Sequence, residues 1–182
     1  METIKLAQHI QKQFPRFYLA GGTAIMLRHK QRESKVVDFF NQHTFSFRHT
    51  YKKLRENYTV QRYKEFQDNV DFYIQNIKVS FVFFPFKNIE RIEKFREIRI
   101  ASDYDLFLNK IYVSGRRIDP RDIFDLAYLY KIYRWDARKI EQDFEKKFPS
   151  QSYKLFLGAV LSFEDYGKID AWIIDTLGQL KV

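Results

Sequence analysis

The sequence predicts an α+β fold in which a sheet-containing first part is followed by a helical bundle. Short apolar runs bounded by turn residues occur before position 102, and apolar residues at helical spacing dominate after it. No internal repeat or Gly/Ser-rich linker separates the two parts. With 19 Phe and 12 Tyr among 182 residues, the chain can bury a substantial core. We therefore expect one body with two segments, residues 1–101 and residues 102–182, the second packed on the first.

The opening of the chain reads as helix, strand, glycine turn and helix. Apolar residues at helical spacing predict a helix over residues 2–14, which Pro15 ends by removing a backbone donor. A short apolar run at 17–20 predicts a strand that stops at Gly21-Gly22. Thr23 is then a suitable N-cap for the next helix.

Further strands and one helix complete the first segment. The β-branched and aromatic run at 36–40 indicates a buried strand that holds Asp38. An amphipathic helix is predicted over 47–58. The remaining strands are predicted over 59–66, 70–75, 78–84 and 96–101, with a hairpin turn near Asn76.

The second segment shows five successive apolar stripes at helical spacing. They predict helices around residues 104–111, 123–130, 140–148, 156–160 and 169–180.

Composition limits the classes of function. The chain has no cysteine, which excludes disulfides, thiolate zinc sites and cysteine nucleophiles. It has neither a signal-peptide-like apolar segment nor a run long enough to span a membrane, so we expect a cytoplasmic protein without a membrane partner. Its net charge of +9 would attract polyanions such as nucleic acid or nucleotide phosphates, although a basic surface is also common in proteins that bind neither.

Two neighbouring segments carry candidate chemistry. A strand that breaks at Gly21-Gly22 and opens a helix lets backbone N–H groups approach a phosphate at the positive end of the helix dipole. Such a turn also serves plain chain reversal. Farther along, nucleotidyl transfer uses divalent metal held by carboxylates two residues apart on one strand, and here Asp38 is present while position 36 is valine.

Together the two segments resemble the nucleotidyltransferase signature in the version found in the toxin family of type IV toxin–antitoxin and abortive-infection systems (AbiEii/AbiGii-like). The positions that match this pattern are Gly21, Gly22, Thr23, Arg32, Ser34, Asp38 and Phe39. Val36 departs from it at the first metal-binding position. The resemblance implies a nucleotidyltransferase-like mixed β-sheet core flanked by helices over residues 1–101, followed by a C-terminal helical bundle over 102–182.

A third segment extends the resemblance. In the family, one helix carries Asp followed by Lys, an Arg lies seven residues later, and a basic-Asp-x-x-Asp-Leu run opens the next helix. Asp105, Lys110, Arg117, Asp122 and Asp125 fill those positions here. The resemblance implies that Lys110 contacts nucleotide phosphates, that Asp122 belongs to the active site and that Asp125 braces the helices. Without it, the same residues would read as a salt-bridged helix start.

A third catalytic acid is expected on a neighbouring strand, and residues 77–84 contain none. Asp71 would substitute if its strand faces the site; the alternative is a solvated residue near a strand end.

The resemblance implies Mg²⁺-dependent transfer of a nucleoside monophosphate from an NTP to a hydroxyl of RNA, tRNA in particular, or of protein, with a cognate antitoxin as partner. Gly21, Gly22, Thr23, Arg32 and Ser34 would hold the triphosphate. Asp38 would bind Mg²⁺, Lys110 would neutralise the phosphates, and Asp122 would orient Lys110 or help to activate the hydroxyl. Because one carboxylate seldom holds two cations, an alternative stays open: a catalytically degenerate fold that binds nucleotide, RNA or a partner protein.

Overall fold

The structure is a computed structural model that describes residues 2–180. Residues 1, 181 and 182, at the outer ends of the two predicted segments, lie outside the described residues. The chain forms two compact units. The first, here called the sheet unit, runs to Lys87 and includes Arg91–Ser102. The second, the helical unit, consists of Asn88–Glu90 and the residues from Asp103 onward.

The sheet unit combines three helices with seven strands. The helices are α1 (Glu2–Gln13), α2 (Gly21–His29) and α3 (Phe47–Arg55). The strands are β1 (Tyr18–Ala20), β2 (Val36–Asn41), β3 (Arg62–Glu65), β4 (Asn69–Ile74), β5 (Ile77–Phe83), β6 (Glu93–Phe95) and β7 (Ile98–Ile100).

All seven strands belong to one sheet with the order β3-β4-β5-β2-β1-β7-β6. Strand β2 runs parallel to β5 and β1 runs parallel to β7, while the other neighbouring pairs are antiparallel. The sheet is therefore mixed, as predicted.

One side of this sheet, here called the aromatic face, is part of the core. Phe39, Phe72 and Phe81 on β2, β4 and β5 are fully buried there. Phe14, just beyond α1, packs edge-on against Phe81 with ring centroids 4.8 Å apart, and Tyr51 of α3 lies parallel to Phe72 at 6.1 Å. Because side chains alternate along a strand, the residues between these phenylalanines face the other side of the sheet.

The predicted N-cap at Thr23 is wrong. Helix α2 begins at Gly21, so Thr23 lies inside the first turn, and the N-cap residue is Ala20. Gly21 supplies a positive φ of 66° at the point where strand becomes helix. The helix starts earlier because glycine adopts this left-handed conformation without steric cost, so the chain turns directly from β1 into α2.

The predicted strand over 96–101 is wrong at its start. Arg96 and Glu97 have positive φ values of 47° and 65° and form the turn between β6 and β7. Sequence reasoning missed β6, because this turn contains none of the Gly, Asn or Asp residues that usually indicate a hairpin. The predicted turn near Asn76 is confirmed: Gln75 and Asn76 have φ values of 51° and 62° between β4 and β5.

The helical unit contains the five predicted helices. They are α4 (Asp103–Ser114), α5 (Pro120–Tyr133), α6 (Ala137–Lys147), α7 (Tyr153–Val160) and α8 (Ala171–Leu177), with 3₁₀ turns at Phe163–Tyr166 and Gly178–Leu180. Much of its core is aromatic. Tyr112 stacks on Phe148 and Phe156, and Phe144 contacts both of these phenylalanines.

Within residues 2–180, no helix is both long and apolar enough to cross a membrane.

Candidate functional site

Asp38 lies against the glycine turn that opens α2. Antiparallel pairing of β1 with β2 sets Ala20 opposite Asp38. A Cβ atom built on Gly21 would overlap the Asp38 carboxylate and would lie 3.1 Å from its Cγ. Only glycine therefore allows the carboxylate this close to the start of the helix, and the positive end of the helix dipole favours an anion there.

The first turn of α2 has the character of an anion site. Its N-cap residue, Ala20, has no side-chain oxygen to accept from the first backbone N–H groups. These donors depend on other acceptors, and carboxylate or phosphate oxygens are suitable ones. Gly21 and Gly22 are both half-buried, so neither residue seals the turn from solvent.

Thr23 and Ser34 connect this helix to β2. The Thr23 hydroxyl donates to the carbonyl oxygen of Val36, and its oxygen lies 2.6 Å from the Ser34 hydroxyl oxygen. Thr23 is only 1% exposed, so its side chain fixes the segment before Asp38. The structure thus brings the two hydroxyls together, and the threonine stabilises the contact between α2 and β2.

Strand register continues the site across the sheet. Asp38 lies opposite Ser80 of β5, and Ser80 lies opposite Asp71 of β4. By alternation, these side chains share the side of the sheet that is turned away from the aromatic face. We call this side the polar face; its members on β2, β5, β4 and β3 are Val36, Asp38, Phe40, Lys78, Ser80, Val82, Asn69, Asp71, Tyr73, Arg62 and Lys64.

Asp71 faces the same side as Asp38, but its carboxylate is already held by three groups. Ser80 and Asn69 donate to Oδ1 at 2.8 and 2.9 Å, and the Lys78 ammonium lies 2.7 Å from Oδ2. Strand β5 also separates Asp71 from Asp38, which places the two strands about 10 Å apart. Asp71 is therefore a buried partner of Lys78 and does not offer Asp38 a second acid.

These residues fit one magnesium ion and do not fit two. Val36 is apolar at the first ligand position, and Ser80 stands opposite Asp38 on the adjacent strand. Among the described residues, no three His, Cys, Asp or Glu side chains form a group that could hold a metal. Mg²⁺ in nucleotide sites is held by one or two carboxylates together with substrate phosphates, so a single acid such as Asp38 is compatible with one ion that arrives with a triphosphate.

Arg32 and Ser34 meet in a cavity of about 660 Å³. Lys30, Lys35 and Arg96 also line it, together with the acids Glu2 and Glu33, so that four cations face two carboxylates. Gly21, Gly22 and Asp38 are not among the described residues that line it. The predicted phosphate-binding residues therefore divide between the glycine turn and this cavity, with the Thr23–Ser34 contact between them.

In the helical unit, Lys110 lies at the centre of a buried ionic network. Its ammonium lies 2.5 Å from Asp122 and 2.8 Å from Asp125, and all three side chains are less than 10% exposed. Arg117 completes the network by pairing with the second oxygen of Asp122 at 2.7 Å. Burial, followed by the negative charge of Asp122, raises the pKa of Tyr166 to about 12. The network joins α4 to α5.

A second buried pair involves a residue that sequence reasoning missed. The fully buried Asp105 pairs with Lys147 of α6 at 2.5 Å. It also accepts backbone hydrogen bonds from Ile89 and Glu90 at 2.8 and 2.9 Å. Burial lowers the pKa of Lys147, and the adjacent Asp105 opposes this shift. The sequence does carry a signal for it, because Lys147 follows Ile140 and Phe144 at helical spacing (i, i+4, i+7) and so falls on the apolar stripe, whereas the exposed Lys146 does not.

Comparison with known proteins identifies the family of the chain. The profile of the family described as "Nucleotidyl transferase AbiEii toxin, Type IV TA system" matches residues 6–172. An uncharacterized protein of Aquifex aeolicus is 30% identical over 156 residues, which cover 82% of this chain and 74% of that protein.

Two solved structures from Helicobacter pylori resemble the fold. One is JHP933, with a TM-score of 0.57 and 18% identity over 98% of this chain and 87% of that one. The other has a TM-score of 0.54 and 18% identity over 96% of this chain and 91% of that one. The predicted fold and the predicted resemblance are both confirmed. The chain belongs to the AbiEii nucleotidyl transferase toxin family of type IV toxin–antitoxin systems.

Proposed function

We propose that this protein transfers a nucleoside monophosphate from an NTP to a hydroxyl group of RNA, tRNA in particular, or of a protein. The observation that carries the proposal is the close approach of Asp38 to the left-handed Gly21 at the start of α2. A carboxylate beside a helix N-terminus suits an NTP. The carboxylate binds the cation that accompanies the phosphates, and the backbone N–H groups of the helix N-terminus bind the phosphates themselves.

The nucleotide-binding residues have distinct parts in this proposal. Gly21 and Gly22 offer backbone N–H groups to the triphosphate, and the Thr23–Ser34 contact keeps β2 in place beside them. Arg32, which lines the adjacent cationic cavity, supplies further positive charge. Asp38 would hold Mg²⁺, which when bound withdraws charge from the phosphates and orients them.

The transfer itself forms one bond and breaks one. The acceptor hydroxyl oxygen attacks the α-phosphorus, the bond from that phosphorus to the β-phosphate oxygen breaks, and pyrophosphate leaves. The hydroxyl proton passes to water or to a carboxylate of the site. Catalysis of this kind depends mostly on positioning and charge, which matches a site built from backbone donors and one acid.

The parts proposed for Lys110 and Asp122 rest on the family resemblance. Lys110 would neutralise charge on the phosphates, and Asp122 would orient Lys110 or help to activate the acceptor. The short contact between their side chains supports the orienting part. The same contact makes it costly for the Lys110 ammonium to move toward a phosphate, because its two carboxylate partners would remain buried without this cation.

As a member of a toxin–antitoxin family, the protein would be inhibited by a cognate antitoxin. Co-purification with the product of an adjacent reading frame, and loss of transfer in that complex, is the expected result.

Incubation with total tRNA, a protein extract and each α-labelled NTP tests the proposal. Label should enter one of the two acceptor fractions in the presence of Mg²⁺, and Asp38→Ala should abolish it. Unlabelled acceptors with all four NTPs, despite nucleotide binding, would overturn the proposal.

That negative result would favour a second function, a binding module on a degenerate fold. Val36 at the first ligand position and the occupied carboxylate of Asp71 favour it. In that case nucleotide or RNA would bind with the same affinity to wild type and to Asp38→Asn, without turnover.

A further inference from the structure

The polar face does not end at Asp38 but continues to the sheet edge with cationic side chains. Lys64 of β3 lies opposite Asp71, and Arg62 lies opposite Tyr73, which in turn lies opposite Lys78 of β5. By alternation, all of these side chains project from the same side of the sheet. The accessible part of this row consists of Lys78, Tyr73, Arg62 and Lys64, whereas Ser80 and Asp71 beneath it are only 3% and 5% exposed.

The end of this row at Arg62 and Lys64 is too far from the glycine turn to contact a single nucleotide bound there. Strands β5 and β4 separate β2 from β3 in the sheet order. Three strand spacings amount to about 14 Å. Cations at that distance suit a ligand that is longer than the triphosphate of one nucleotide.

The charges at the edge are available to such a ligand. Arg62 and Lys64 are exposed, and among the ion pairs of residues 2–180 neither takes part; the Lys64 ammonium lies 4.8 Å from the centroid of the Phe66 ring. The neighbouring acid, Glu65, alternates onto the aromatic face. Asp71 is already neutralised by Lys78 at 2.7 Å, so it does not cancel the edge cations.

Tyr73 adds an aromatic surface beside the cations of the sheet edge. It is half-buried on the polar face, with Lys78 opposite it on one side and Arg62 on the other. Phosphates bound by lysine or arginine, with a base stacked on an intervening ring, are the usual contacts of a single-stranded polynucleotide. An acidic peptide would use the cations but would leave the ring without a specific partner.

We propose that the polar face from Asp38 to Arg62 and Lys64 binds a single-stranded segment of RNA and leads one of its hydroxyls to Asp38. The proposal rests on the proposed function and selects RNA as the acceptor. The net charge of +9 raises the affinity for any polyanion. We therefore propose specifically that RNA binds at this face and is oriented toward Asp38.

Helix α3 provides a matched control, because it is basic but serves the other side of the sheet. Its Tyr51 stacks on Phe72 of the aromatic face and on Tyr63, which alternates to the same side. Arg48 and Lys52 of this helix are exposed in the same way as Arg62 and Lys64. A general attraction to RNA would depend on both pairs equally.

The test uses a fluorescein-labelled single-stranded RNA of about 12 nucleotides, within the usual site size of such proteins. Fluorescence anisotropy is measured in EDTA without NTP, so that binding is separated from transfer. The double variant Arg62→Ala/Lys64→Ala should lose about tenfold or more in affinity, and its log–log salt slope should fall by about 0.7 for each lost phosphate contact. The double variant Arg48→Ala/Lys52→Ala should change the affinity by less than about twofold, since it leaves those contacts intact.

Tyr73 gives a second measurement that charge does not influence. Tyr73→Phe keeps the ring and should bind as wild type does, whereas Tyr73→Ala should lose roughly five- to a hundredfold, as expected for one stacked base. Thermal unfolding of each variant confirms that the sheet is intact.

Equal losses from the edge variant and the α3 variant would overturn the inference, as would an unchanged affinity in the edge variant. So would a wild-type protein that does not bind this RNA but labels protein hydroxyls, a result that leaves the proposed function standing. Conversely, edge-dependent RNA binding without any transfer would support the binding face and reject the transfer reaction.

Discussion

The polar face around Asp38 and the buried network around Lys110 are both built from ionisable residues, yet they differ in how those charges are satisfied. On the polar face, Asp38 is half-exposed beside a helix N-terminus and a glycine turn. In the network, the Lys110 ammonium contacts two carboxylates that are almost inaccessible to solvent. The first arrangement is partly accessible to solvent, whereas the second is almost closed to it. We propose that the polar face is the first to take up a ligand, and that without a ligand the network chiefly holds α4 against α5.

Breaking the network should produce the largest effect on stability. Lys110→Met leaves Asp125 buried without its cation, and the expected loss is about 3–5 kcal/mol in the free energy of unfolding. Lys139→Met is the control: its pair with Asp143 involves a lysine that is 54% exposed, so the expected loss is below about 1 kcal/mol. Urea unfolding measures both. Equal small losses would mean that the Lys110 ammonium is not held by the network and is available to a ligand.

Crowding the glycine turn should impair transfer more than stability. Gly21→Ala introduces a Cβ into the space of the Asp38 carboxylate at a φ of 66°, and a displaced acid of this kind costs about a hundredfold in rate. The strained backbone itself should cost about 1–2 kcal/mol in stability.

Gly158→Ala is the matched glycine substitution, because a Cβ there meets no atom within 4 Å. It should keep full transfer activity and unfold at a similar or slightly higher temperature. The account of the turn would be wrong if Gly21→Ala transferred label as fast as Gly158→Ala.

Adding an acid should sharpen the difference between the two regions. Val36→Asp places a second carboxylate two residues from Asp38, on the same side of β2, and should tighten Mn²⁺ binding by about tenfold. Electron paramagnetic resonance of free Mn²⁺ measures this without any assay of activity, and Val36→Asn is the uncharged control. Identical Mn²⁺ affinities in the two variants would show that position 36 does not face a cation site.

The smallest effect is expected at the start of α5. Asp119 caps this helix and pairs with Arg121. The pKa of Asp119 is lowered from 3.8 to about 2, mainly by the side-chain hydrogen bond from Arg121. A lowered folded-state pKa stabilises the protein above the unfolded value and ceases to do so as pH falls through the folded value. Asp119→Ala should thus cost up to about 1 kcal/mol at pH 7, and the difference from wild type should shrink as pH falls from about 4 through 2. A difference that stays constant over this range, measured by urea unfolding, would exclude the charge of the carboxylate as its source.

Much of the fold could be predicted from local patterns. Apolar runs located the strands that carry Asp38 and Asp71, and helical spacing located all five helices of the second segment. The turn between Arg96 and Glu97 could not be predicted, because neither residue type favours the left-handed conformation that both adopt.

The sequence named the residues of the candidate site but could not predict how they are arranged. Alternation indicates which side a residue takes, but it does not reveal that β5 lies between β2 and β4. The placement of Ser80 between Asp38 and Asp71 therefore required the register. In the same way, the pairing of Lys78 with Asp71 decides that this second acid is occupied.

The most direct test compares the two carboxylates of the polar face in one assay of label transfer from α-labelled NTP to RNA. Asp38→Asn should reduce transfer by about a thousandfold or more, since it removes the acid at the helix N-terminus. Asp71→Asn removes a carboxylate that is bound to Lys78 and should retain measurable transfer. A folded Asp38→Asn variant that transfers as fast as wild type would contradict the assignment of chemistry to this face.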